Sequence, residues 1–246
     1  MDLNNVEVID TPRHRDEVWP LGDGAAILAG GTWLFSEPQP HLTRLVDLTS
    51  LGWPSVTHRE DGIELAATCT VAEVSELSAR LGIPLLHQCC TALLASFKIW
   101  RTATVGGNLC LALPAGPMTA LAAALDGTCL IWTPDGGERR LCVLDFVQGP
   151  QETALRPGGM LRRIDLPGGC RGVTAALGSV VAAATATAAT TTLTRLALAV
   201  LVARVTGVHV ARSVGDLRGG VSAVGVDVGR SGRRRLVRRL GRVAGL

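Results

Sequence analysis

The 246-residue sequence predicts an α+β fold of two subdomains, followed by a C-terminal region of different character. Three observations carry that expectation. Short apolar runs of strand length alternate with helix signals through the first 167 residues. Two glycine pairs, Gly30-Gly31 and Gly106-Gly107, sit where backbone could lie close to a ligand, with no side chain in the way and φ > 0 allowed. Finally, the composition changes abruptly between Pro167 and Arg171. Up to Cys170, 12 Lys and Arg stand against 19 Asp and Glu, a net of −7; from Arg171 onward, 12 Arg stand against Asp216 and Asp227, a net of +10, so the overall +3 hides a divided chain.

Taken in order, residues 6–9 read as a first strand that Pro12 soon ends, and the polar residues 13–24 predict at most a shortened helix. Residues 25–28 read as a buried strand delivering the turn Ala29-Gly30-Gly31-Thr32-Trp33. Residues 42–48 are the next strand, and together these make a small βαβ-like unit. Residues 63–67 enter the second subdomain. Thr70-Val71-Ala72-Glu73 is a capping box opening a helix whose Val71, Val74, Leu77, Ser78 and Leu81 share one face, with Gly82 closing it. Residues 84–95 read as a second helix carrying His87.

The stretch SFKIWRTATVGGNLCLALPAGPM at 96–118 joins small and hydrogen-bonding residues to Pro114, Gly116 and Pro117, and a helix follows from about Met118, with Pro117 at its entrance and Gly127 at its exit. The positive end of that helix beside a glycine turn suits an anionic ligand. Residues 130–132 and 140–143 flank PDGGER, a glycine-rich reversal typical of a hairpin, and residues 160–166 form a last strand ended by Pro167.

Several chemistries are not expected. The seven cysteines, Cys69, Cys89, Cys90, Cys110, Cys129, Cys142 and Cys170, contain no C-x-x-C pair, which argues against zinc, an iron–sulfur cluster in this chain and a disulfide framework. His14, His41, His58, His87 and His209 form no ligand cluster. No catalytic acid, base or nucleophile and no metal site is predicted. MDLNNVEVID has neither the apolar core of a secretory signal nor transit-peptide character, so a cytoplasmic protein is expected. Residues 172–194 are free of charge and long enough to span a bilayer, but they are rich in Ala, Thr and Gly, and no membrane span is expected.

AGGT at 29–32 and RTATVGGNL at 101–109, followed by PAGPMTALAAALDG at 114–127, LIWTPDGGERRLCVLDF at 130–146 and GGMLRRIDLP at 158–167, resemble in content and order the FAD-binding subunit or domain of molybdenum hydroxylases of the xanthine dehydrogenase and carbon monoxide dehydrogenase type. The resemblance covers residues 4–167. It implies a two-subdomain FAD-binding fold of the vanillyl-alcohol-oxidase/PCMH type, with residues 1–52 as the small subdomain and 53–167 as the larger one. FAD would lie between them, its pyrophosphate cradled by backbone N–H groups of Gly30, Gly31 and Thr32 and by the loop from Thr104 to Asn108. The cofactor-binding set it implies is Ala29, Gly30, Gly31, Thr32, Trp33, Thr104, Gly106, Gly107, Asn108 and Leu161, the last presenting its backbone to the flavin ring.

As an oxidoreductase subunit of this kind, the chain would pass electrons from iron–sulfur clusters of a partner to an acceptor. The implied partners are a molybdopterin-binding large subunit and a 2Fe-2S small subunit, in a heterotrimer or its dimer, with no nucleic acid. Two departures stand out: Trp33 replaces a frequent acidic residue, and Leu113-Pro114 with Gly116-Pro117 replaces a pattern containing Asp. Residues 168–246 are an atypical Ala/Val/Arg-rich region in place of the family's third, α+β domain. Their composition is what a GC-rich gene yields when read in a shifted frame. Two other readings follow from that region: a degenerate, non-enzymatic remnant unable to hold FAD, or a binder of nucleic acid or membrane surfaces through the basic tail RSGRRRLVRRLGRVAGL.

Overall fold

The structure, a computed structural model, describes residues 3–168. The expectations placed on the region after Gly168 lie outside the described residues: the missing third domain, the shifted frame, the charge-free stretch and the basic tail. Within them the chain is mixed helix and sheet.

Strands β1 (Val8–Asp10), β2 (Ala25–Leu28) and β3 (Arg44–Asp47) form a parallel sheet in the order β1-β3-β2. The central strand buries Leu45 and Val46. A βαβ-like unit is not what connects them. The crossover from β1 to β2 holds a four-residue 3-10 helix, Arg15–Val18, and a cis Trp19-Pro20 peptide, while residues 29–43 run from β2 to β3 as turns with no helix. Gly30, Gly31, Pro38 and Pro40 leave no uninterrupted stretch in which a helix could propagate.

A second, antiparallel sheet has the order β4-β5-β10-β6-β7, from β4 (Val56–His58), β5 (Gly62–Ala66), β6 (Thr128–Trp132), β7 (Glu138–Cys142) and β10 (Met160–Pro167). Strands β8 (Val147–Gly149) and β9 (Glu152–Thr153) pair separately. The glycine-rich reversal is the β6–β7 turn, where Gly136 takes φ +80° and the Asp135 carboxylate accepts from the Gly137 N–H at 3.2 Å. Those bonds, first from Thr133 and then from Gly137, hold the Asp135 carboxyl below the usual range.

The helices are α1 (Val71–Leu81), α2 (Pro84–Ala92), α3 (Phe97–Trp100), α4 (Val105–Leu111), α5 (Pro117–Ala124) and α6 (Val143–Phe146). The capping box of α1 forms as read: Thr70 Oγ1 accepts from Glu73 N–H at 3.2 Å and Glu73 Oε2 accepts from Thr70 N–H at 2.7 Å, while Gly82 closes the helix at φ 65°. A cap of this kind contributes about 1 kcal/mol. Helix α2 stops short of residue 95, because Leu94 turns to φ 50°. Helix α5 is apolar on every side and buries seven of its eight residues, so it runs through the core instead of along its surface.

The main core joins α1, α2, α4 and α5 to the five-stranded sheet through Leu65, Leu77, Leu86, Leu121, Ile131 and Ile164. A smaller cluster of Val18, Val46, Leu48 and Met160, flanked by Trp19, Trp53 and Trp132, joins the two sheets. Cys69, Cys89, Cys90 and Cys129 are buried free thiols, and burial pushes Cys89 and Cys90 up to about 12. Thiols so hard to ionise are packing residues, not nucleophiles.

Candidate functional site

A cavity of about 500 Å³ opens where the two glycine turns meet. All ten residues of the predicted set line it: Ala29, Gly30, Gly31, Thr32 and Trp33 from the first turn, Thr104, Gly106, Gly107 and Asn108 from the second, and Leu161 from β10. Most of the remaining wall is aliphatic, including Ile27, Leu48, Leu93, Ile99, Leu155 and Met160. Among the described residues no Asp, Glu, Lys, Arg or His lines it.

The turns are pressed together. A Cβ on Gly30 would stand 1.7 Å from the Thr102 carbonyl oxygen, and one on Gly106 would stand 2.6 Å from both Cβ and the carbonyl oxygen of Ala67. These two glycines are therefore required by the close approach of protein backbone. Gly31 is required for a different reason: φ +68° reverses the chain, and a Cβ there would strike the Phe35 ring at 2.4 Å.

Their donors differ. The N–H groups of Gly30, Gly31, Thr32, Trp33 and Leu34 donate to no protein acceptor among the described residues; the turn is closed by Phe35 N–H to Gly31 O at 2.9 Å and by Ser36, whose N–H and Oγ donate to Trp33 O at 2.9 and 2.8 Å. In the second turn the donors are engaged: Val105 N–H on Cys69 O at 2.8 Å, Gly106 N–H on Ala67 O at 2.9 Å, Gly107 N–H on Thr104 Oγ1 at 3.1 Å and Asn108 N–H on Thr104 O at 3.0 Å. That segment is the capped first turn of α4, and its main offering is the Asn108 side chain. Asn108 Oδ1 accepts from Met118 N–H at 3.0 Å, tying α4 to the start of α5, and its amide nitrogen has no partner among the described residues.

A run of five free N–H groups around a residue at φ > 0 is an anion-binding concavity. With no cation from the described residues at the cavity, it suits an anion whose charge is spread over several oxygens, bound to an extended apolar body. A nucleotide diphosphate linked to aromatic rings has that character. Helices able to cross a membrane, and groups of three or more potential metal ligands, are absent among the described residues. His87, whose Nδ1 lies 2.8 Å from Ser75 Oγ, stands outside the cavity.

The sequence reading missed the aliphatic wall. Cys110, Leu111 and Met160 lie next to predicted residues in segments that were read, but Leu93 and Leu155 carry no local signal, because only the packing of distant segments brings them to the cavity.

A family profile described as "FAD binding domain in molybdopterin dehydrogenase" matches residues 12–169. The chain is 31% identical over 153 residues to the carbon monoxide dehydrogenase medium chain of Afipia carboxidovorans, covering 60% of this chain and 52% of that one. It is 30% identical over 152 residues to caffeine dehydrogenase subunit beta of Pseudomonas sp. strain CBB1, covering 59% and 50% respectively. A chain of reconstituted CO dehydrogenase from Oligotropha carboxidovorans superposes with a TM-score of 0.55 at 27% identity, over 60% of this chain and 52% of that one. The chain thus spans about half the length of the curated relatives it matches. With the profile covering more than half of its residues, the chain belongs to the family of FAD binding domains of molybdopterin dehydrogenases.

Proposed function

We propose that the cavity holds FAD and that the chain serves as the FAD-bearing, electron-transfer part of a molybdenum-containing hydroxylase or dehydrogenase. The observation that carries the reading is that, among the described residues, the N–H groups from Gly30 to Leu34 are free at the edge of a cavity lined by no carboxylate or cation. Those groups take the pyrophosphate oxygens. The Gly106-Gly107 segment lets the cofactor approach, Asn108 donates from its amide, and Leu161 and Met160 form the wall on which a flavin ring lies. Bound FAD supplies one- and two-electron chemistry. The residues here orient it and exclude water, and none is asked to carry a proton.

This reading extends to a fold of the vanillyl-alcohol-oxidase/PCMH type, with residues 1–52 and 53–167 as the two subdomains on either side of the cofactor. The partners are a molybdopterin-binding large subunit and a 2Fe-2S small subunit, in a heterotrimer or its dimer in the cytoplasm. Electrons arrive from the iron–sulfur clusters and leave to an acceptor. The names of the relatives, medium chain and subunit beta, support membership of a larger assembly.

The test is the visible absorbance of the purified full chain, with chromatography of whatever flavin heat releases. A flavin band with one FAD per chain is expected. A colourless chain that takes up no added FAD overturns the proposal and favours the remnant reading.

A further inference from the structure

We propose that Arg162 is a positioning residue for the cavity, a bulged arginine whose grip on Trp53 and Trp132 sets the wall on which the cofactor lies. The proposal rests on the FAD reading above. Across β6, Leu161 is paired with Ile131 and Arg163 with Leu130, so Arg162 is the extra residue of a β-bulge, without a partner on that strand. Bulges re-aim neighbouring side chains and backbone. One left loose would slip.

Aromatic rings, not a carboxylate, hold this one. The guanidinium carbon of Arg162 lies 4.0 Å from the Trp53 ring centroid and 5.4 Å from that of Trp132. The two indoles meet edge to face at 5.5 Å, and Arg15 covers Trp132 at 4.6 Å. Among the described residues Arg162 has no ion pair, while Glu64 and Asp165 are taken by Arg163 at 3.2 and 2.7 Å. Burial, reinforced by the like charge of Arg163, pulls the Arg162 guanidinium down to about 10. Glu64, Asp165 and Glu138 favour its charge only from longer range, so the direct contacts that hold this half-buried cation are the ring faces.

The bulge reaches the cavity through two routes. Met160 and Leu161, immediately before it, both line the cavity. On its other side, the Arg162 carbonyl accepts from Ala67 N–H at 3.0 Å, and the Ala67 carbonyl accepts from Gly106 N–H at 2.9 Å. Ala67 and Gly106 line the cavity as well, and they touch so closely that a Cβ on Gly106 has no room. A shift of the bulge therefore moves four wall residues, Met160, Leu161, Ala67 and Gly106. Arg162 itself does not touch the cavity.

The experiment measures FAD affinity of the full chain by equilibrium titration, together with the visible circular dichroism of the bound flavin and the unfolding midpoint, for the wild type, Arg162→Leu, Arg162→Lys, Trp53→Leu and the Leu/Leu double variant. Loss of the grip is expected to weaken FAD binding about tenfold and to change the flavin dichroism. Lysine at 162 restores most of the affinity, and the double variant is no weaker than either single one, because both remove the same contact. If Arg162→Leu does not accumulate folded, Trp53→Leu against Trp53→Phe decides on the same readouts. A lowered midpoint with unchanged affinity and dichroism overturns the proposal and leaves the FAD reading in place. Additive losses in the double variant also overturn it. A wild-type chain that binds no FAD overturns both.

Discussion

The two glycine turns look alike in sequence and differ in use. At Gly30-Gly31 the chain reverses through φ +68° and leaves five N–H groups without an acceptor among the described residues; at Gly106-Gly107 it enters a helix, with each N–H from Val105 to Asn108 already spent inside the protein. The first turn is a donor surface. The second is a contact surface, where the missing side chain of Gly106 lets Ala67 come near. A repeated GG pair thus marks close approach of backbone, and the acceptors around it decide whether it also binds an anion.

Substitutions can separate the two roles. The largest effect is expected for Gly30→Ala, whose methyl would fall 1.7 Å from the Thr102 carbonyl oxygen. Backbone faces that carbon, so no rotamer change relieves it; a loss above about 3 kcal/mol is expected in chemical unfolding, with the chain failing to accumulate flavin. Wild-type stability in this variant would mean that the turns do not pack as described. Gly106→Ala follows, with its contact at 2.6 Å, partly on the Ala67 methyl. A cost of about 1–3 kcal/mol is expected, and Ala67→Gly in the same chain should recover part of it, as read by thermal unfolding.

The smallest effect is expected for Thr104→Ala. It removes the cap on Gly107 N–H and should cost about 1 kcal/mol. Flavin affinity should change by no more than about threefold, since the cap points into the helix and not to the ligand. An affinity loss of 100-fold would make the second turn a donor surface after all, erasing the contrast between the two.

Much of this was legible before any coordinates. Thr70 and Glu73 announce a helix start because the box closes within four residues, and Asp135 with Gly136 announces a reversal for the same reason of locality. The ten cavity residues follow from the family resemblance, nine of them on its two glycine motifs and Leu161 by carry-over alone, and all line one cavity. The state of their donors was not readable. Whether Gly106 N–H is free depends on Ala67, 39 positions earlier in the chain, and whether the bulge at Arg162 is held depends on Trp53 and Trp132. The same distance explains why β4 has no signal of its own in the sequence: its pairing with β5, not local preference, decides it.

The five tryptophans and the absence of tyrosine have an optical consequence. Trp19, Trp53, Trp100 and Trp132 are partly covered, and Trp33 alone is exposed, at the edge of the cavity. Ultraviolet emission from the described fold therefore carries no phenolic component, and its water-exposed, red-shifted fraction comes from Trp33. A collisional quencher such as iodide would remove that fraction first, and whatever fills the cavity would shield it, so the chain carries its own occupancy gauge without a label.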